Sequence, residues 1–93
     1  MQDKNIRAKI MLSSGSWDTF QAVIQRLERR GFEEYELGRS RILISASLSQ
    51  YQERLDIALK QEGDHYVPAK EIIVPEDLKP YVQSISFSSL RWF

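Results

Sequence analysis

Between Ile6 and Leu12 every second residue is apolar, and between Trp17 and Leu27 the apolar residues recur at helical spacing. This switch of period is the strongest constraint on the fold. Ile6, Ala8, Ile10 and Leu12 share one side of an extended segment, with Arg7, Lys9 and Met11 on the other, which predicts a half-buried strand. Ser13-Ser14-Gly15 breaks it. Ser16 is placed to cap a helix, because its hydroxyl accepts from an early backbone N–H, and Asp18 suits the positive end of the helix dipole. Trp17, Phe20, Val23, Ile24 and Leu27 then form one helical face. Trp17 and Phe20 are expected in the core or at its edge, as is Met11. Gly31 fits the left-handed position after the helix, where Phe32 closes on Leu27 in a Schellman motif.

The two periods recur further on. Phe32 to Leu37 is expected to be a strand carrying Glu33, Glu34 and Glu36. Gly38-Arg39-Ser40 is a hairpin turn. Arg41 to Leu48 alternates, with Ile42, Ile44, Ala46 and Leu48 inward and Leu43, Ser45 and Ser47 outward. Ser49 with Gln52 matches a capping box, which predicts a second helix along Tyr51, Leu55, Ala58 and Leu59, ended by Gly63. Asp64 to Ala69 is expected as loop and Ile72-Ile73-Val74 as a short extended piece. Pro75, Glu76 and Asp77 suit the start of a helical turn through Tyr81, and Ser84 to Ser89 the last strand. The order strand, helix, strand, strand, helix, strand predicts an α+β fold. It is the ferredoxin-like βαββαβ sandwich, an antiparallel sheet with two helices on one face, spanning residues 1–93 as one domain.

Composition narrows the function. Lys plus Arg and Asp plus Glu both number 13, so the net charge is zero, unlike a protein that binds nucleic acid by neutralising phosphates. There is no cysteine and one histidine, His65, which leaves no disulfide, thiolate chemistry or multi-histidine metal site within the chain. Aliphatic runs such as Ile10-Met11-Leu12 are too short to span a membrane. The polar Met1-Gln2-Asp3-Lys4-Asn5 start lacks a signal peptide's apolar stretch, so a cytoplasmic location is expected.

The predicted open sheet face carries Arg7, Lys9, Met11, Leu43, Ser45, Ser47, Ser84, Ser86 and Ser88. It offers no aromatic platform for stacking RNA bases. Its small side chains suit close approach by another protein at little desolvation cost. Asp64-His65 is expected as a polar turn rather than part of a triad, because sequence neighbours rarely face one another. The acidic run Glu33, Glu34 and Glu36 lacks a calcium-loop pattern, and Ser13-Ser14-Gly15-Ser16 lacks an arginine to hold a phosphate. These readings predict a chain that is not an enzyme and needs no cofactor.

The stretch Ile72-Ile73-Val74-Pro75-Glu76-Asp77-Leu78-Lys79-Pro80-Tyr81-Val82-Gln83-Ser84-Ile85 resembles the end of the propeptides of sedolisin/kumamolisin-type serine peptidases. There a Val-Pro, an acidic turn, a Leu and an apolar pair lead into a final strand. Trp17-Asp18-Thr19-Phe20 and Arg30-Gly31-Phe32 resemble the bounds of their first helix, and Ile42 to Tyr51 their passage into the second. Ser86-Phe87-Ser88-Ser89 departs from the family, which continues with a Gly-Leu-Asp type segment and a linker. With no peptidase domain before Phe93, the resemblance implies a stand-alone propeptide-like inhibitor or folding chaperone of a subtilisin- or sedolisin-type peptidase. Such propeptides dock their open sheet, set acidic groups near helix N-termini of the enzyme and lay a C-terminal tail along the substrate cleft. Carried over, the partner-binding residues are Glu33, Glu34 and Glu36, the sheet residues Ser45, Ser47 and Ser86, and the tail Leu90, Arg91, Trp92 and Phe93. The alternative is an assembly protein that forms a homodimer or binds an unrelated protein.

Overall fold

A computed structural model describes residues 6–63 and 65–87. Strand β1 (Ile6–Leu12) realises the first alternation, with Ile6, Ala8, Ile10 and Leu12 buried. Helix α1 (Trp17–Arg29) follows. The Ser16 hydroxyl accepts from the Thr19 amide at 3.3 Å, and Thr19 and Phe20 are buried. At the other end Gly31 has φ +86°; its amide donates to Glu28 and that of Phe32 to Leu27, at 3.0 and 3.1 Å. These are the paired bonds of a Schellman closure. They turn the chain so that Phe32 enters the core rather than opening a strand. Trp17 is 60% exposed, contrary to its expected place in the core or at its edge. It is the first helical residue and lies beyond the stripe of Phe20, Val23 and Leu27 that meets the sheet.

Strands β2 (Glu34–Gly38) and β3 (Arg41–Ala46) are joined by the tight turn Arg39-Ser40, with Ser40 at φ +55°. Helix α2 (Leu48–Arg54) begins directly after β3. Its capping box is Ser47 with Gln50, two residues earlier than the expected Ser49 and Gln52. Both pairs have the right spacing. Ser47 and Gln50 prevail because Ala46 ends the buried strand, and because the Gln50 side-chain amide also reaches the Gly31 carbonyl at 3.0 Å. Ser47 is therefore a helix cap and not a member of the open sheet face.

The second helix is also shorter than its apolar spacing predicts. The chain leaves it at Asp56, which has φ +55°, and Leu55, Ile57 and Leu59 are buried alternately. Leu55-Asp56-Ile57-Ala58-Leu59 fits a period of two as well as a helical one, and the core selects the former. Strands β4 (Leu59–Glu62) and β5 (His65–Pro68) pair as a hairpin where helix end and loop were expected. Gly63, at φ +64°, serves that hairpin's turn rather than stopping a helix. Ile72 and Val74 pack on the core while Ile73 is 71% exposed, an extended alternation without a sheet partner. The turn after Pro75 is closed by the Leu78 and Lys79 amides on the Pro75 carbonyl, and Leu78 is fully buried.

The last strand among the described residues is β6 (Val82–Phe87). Four strands form one antiparallel sheet in the order β2-β3-β1-β6. A register shift between Met11 and Leu12 passes over Gln83, so that Val82 and Ile85 both reach the core. Buried residues of α1, α2, the sheet and the β4–β5 hairpin join a single hydrophobic cluster. The result is a small α+β structure with a radius of gyration of 12.7 Å, near the roughly 12 Å of a compact chain of this length. Among the described residues, no helix is long and apolar enough to cross a membrane.

Tyr51 joins the layers. It is fully buried, with its ring against Phe32 and edge-on to Phe87, and its hydroxyl donates to the Ile6 carbonyl. Burial pushes its pKa upward, keeping the donor protonated. Tyr51→Phe should cost about 1–2 kcal/mol, because the Ile6 carbonyl loses a buried partner. Tyr51→Ala should cost about 3–5 kcal/mol, as for other deleted core aromatics. Urea denaturation measures both.

Arg30 ties three segments together at the surface. Its guanidinium grips Asp77 at 2.7 and 3.1 Å, and its Nε donates to the Arg54 carbonyl at 3.1 Å. Arg26 lies over the Tyr81 ring, 4.9 Å from its centre. The hydrogen bond from Arg30 holds the Asp77 carboxyl below its ordinary value of 3.8. A depressed carboxyl stabilises the fold above the unfolded-state pKa and loses that contribution as pH falls through its folded value. With Asp77 46% exposed, the pair should contribute under about 1 kcal/mol. Asp77→Asn is expected to lower stability by that amount at neutral pH. The difference from wild type should fade as pH falls below 3.8, measured by urea denaturation across pH.

Candidate functional site

The face of the sheet opposite the core is ordered by strand register. Glu34 of β2 stands beside Ser45 of β3, which stands beside Arg7 of β1. The next row is Glu36, Leu43, Lys9 and Ser86. The third is Gly38, Arg41, Met11 and Ser84. Acidic side chains thus line one flank of β3 and basic side chains the other. Arg7, Glu34, Glu36, Arg41, Ser84 and Ser86 are exposed, and Lys9, Met11, Leu43 and Ser45 are half-buried.

The long side chains make walls and the short ones a floor. Arg7, Glu33, Glu34, Glu36, Leu43 and Ser45 are among the residues lining a shallow groove of about 540 Å³. Strands lie about 4.8 Å apart, so the two walls are separated by roughly 10 Å of backbone. Among the described residues, no ion pair joins Arg7 or Lys9 to Glu34 or Glu36. Arg41 leans across Gly38, where an added Cβ would come within 2.9 Å of its Nε.

The acidic wall is braced from the core side. Tyr35 points to α1, and its hydroxyl donates to Glu28 at 3.0 Å, a bond to a carboxylate that raises the tyrosine pKa. Tyr35 and Leu37 pair with Ile44 and Ile42, which turns Glu34 and Glu36 to the open side. The groove presents opposed charge, the Ser45 hydroxyl and the aliphatic Leu43. It can attract and orient a polar macromolecular surface. Among the described residues, no cluster of three metal-ligating side chains occurs and no buried side-chain polar atom lacks a partner.

Of the sequence-predicted binding residues, Glu33, Glu34, Glu36 and Ser45 come together in this groove. Ser86 lies in the same sheet face beside Lys9. Ser47 caps α2. Leu90, Arg91, Trp92 and Phe93 lie outside the described residues, as do Ser88 and Asp64. His65 opens β5 opposite Glu62. Arg7, Lys9 and Leu43 were legible as open-face residues but not as binding groups. Their position opposite the glutamates follows from the register, which sets the basic and acidic strands on either side of β3. A scan against protein-family models, a search of curated proteins and a search of solved structures each found no match.

Because these walls face solvent, reversing their charge should leave the fold intact. Glu34→Lys with Glu36→Lys is expected to change stability by no more than about 0.5 kcal/mol per site, measured by thermal melting.

Proposed function

We propose that this chain is a non-catalytic protein-binding module that docks through the uncovered face of its four-stranded sheet. The single observation that carries the reading is the groove, with Ser45 and Leu43 between Arg7 on one flank and Glu34 and Glu36 on the other, open to solvent among the described residues on the side of the sheet opposite the buried Ala8, Ile10 and Ile42. We read the architecture as ferredoxin-like with the β4–β5 hairpin inserted before the last strand. With the hairpin set aside, the sheet order is last, first, third, second, as in a split βαβ pair.

The partner proposed is a serine peptidase of subtilisin or sedolisin type, bound by a propeptide-like inhibitor or folding chaperone. The resemblance of residues 72–85 to propeptide ends supports this reading. The acidic wall supports it too, since carboxylates are favoured at the helix N-termini of such an enzyme. Titration of the chain against a panel of subtilisin- and sedolisin-type peptidases tests it. Inhibition should be weakened at least about tenfold by Glu34→Lys with Glu36→Lys, as expected when attractive contacts become repulsive. No inhibition and no complex across the panel counts against the peptidase as partner. The opposed charge of the walls favours a second reading, in which the face seats another copy of the chain.

A further inference from the structure

We infer that the open sheet face closes on a second copy of the same chain, about a two-fold axis running along β3. This rests on the reading of that face as a docking surface and names an occupant that would exclude the peptidase while bound. The argument is geometric. β2 and β1 flank β3 on either side, and Glu34 shares a row with Arg7 as Glu36 does with Lys9. Rotation by half a turn about β3 turns the sheet over, exchanges the flanks and keeps the rows. Glu34 of one copy then lies over Arg7 of the other, and Glu36 over Lys9, each contact occurring twice by symmetry.

The centre of the interface is equally compatible. Leu43 meets its own symmetry mate on the axis, and Ser45 meets Ser45, so neither of these central pairs buries a charge. Arg41 also lies on β3 but leans across Gly38 toward β2, which draws the two Arg41 side chains to opposite sides of the axis. Packed sheets stand about 10 Å apart, a gap that facing Glu and Arg or Lys side chains can bridge. Pairing through the free edge of β2 is the competing arrangement. It brings the Glu33, Glu34 and Glu36 segments of two copies together and sets like charges side by side. The patch is small for a permanent interface, so the dimer is weak and reversible. Its attraction comes from exposed charge, so it weakens with salt.

Sedimentation equilibrium of the full chain tests this, with circular dichroism to verify that each variant is folded. Wild type should self-associate, at least about tenfold more tightly at low than at high salt. Arg7→Glu with Lys9→Glu makes both flanks of β3 acidic, and Glu34→Lys with Glu36→Lys makes both basic. Each variant alone should be monomeric, and an equimolar mixture should restore a one-to-one dimer. A strictly monomeric wild type overturns the proposal, as does a dimer that neither double reversal affects, or a mixture that stays monomeric. The docking-surface reading is judged separately by peptidase inhibition. If wild type is monomeric and the reversals weaken inhibition, the self-pair fails and the docking face stands. If the reversals alter neither association nor inhibition, both fail.

Discussion

The fold is placed by β1, which with β3 is one of the two central strands paired on both edges. β3 and β6 both pair with β1, and the α2 ring of Tyr51 is anchored to its first carbonyl. A strand so enclosed cannot slip by one residue without exchanging Ile6, Ala8, Ile10 and Leu12 for Arg7, Lys9 and Met11. That exchange would bury charge and expose the core. The alternation of β1 therefore decides which side of the sheet the helices cover and which stays bare.

The one-sided cover is kept by contacts distant from the bare face. Arg30 gathers the ends of α1 and α2 and the turn holding Asp77. Ser47 and Gln50 start α2 at the edge of the core, and Gln50 ties that start to the end of α1. Tyr35 holds the outer strand β2 to α1 through Glu28. Individually these exposed or half-exposed bonds are weak. Their effect is geometric: they hold the helices and the Asp77 turn to one another, and the Tyr35 bond ties the edge strand that carries the acidic wall to α1.

Function, on the reading proposed here, follows from how charge is divided and not from any reactive group. The chain is neutral overall, yet its bare face is polarised, with acids on β2 and bases on β1. Short Ser45 and the half-buried Leu43 keep the middle low, so a partner can approach those two rows without desolvating a charge at the centre. Such a surface selects partners by pattern, through attraction at the walls and tolerance between them.

Local signals in the sequence determined the elements whose reasons are local. The alternation of β1 and β3, the Ser16 cap and the Gly31 closure of α1 each depend on neighbours a few residues away, and each is legible in the sequence alone. Where two local patterns competed, tertiary structure decided. Ser47 displaced Ser49 as cap because the strand ended at Ala46, and Leu55, Ile57 and Leu59 alternated into the core instead of continuing a helix. Trp17 fell outside the core because the sheet meets only one stripe of α1. The glutamates and Ser45 were legible as candidates from alternation alone. Their opposition to Arg7 and Lys9 was not, because period two assigns a residue to a face whereas only strand order and register assign its neighbours across the sheet.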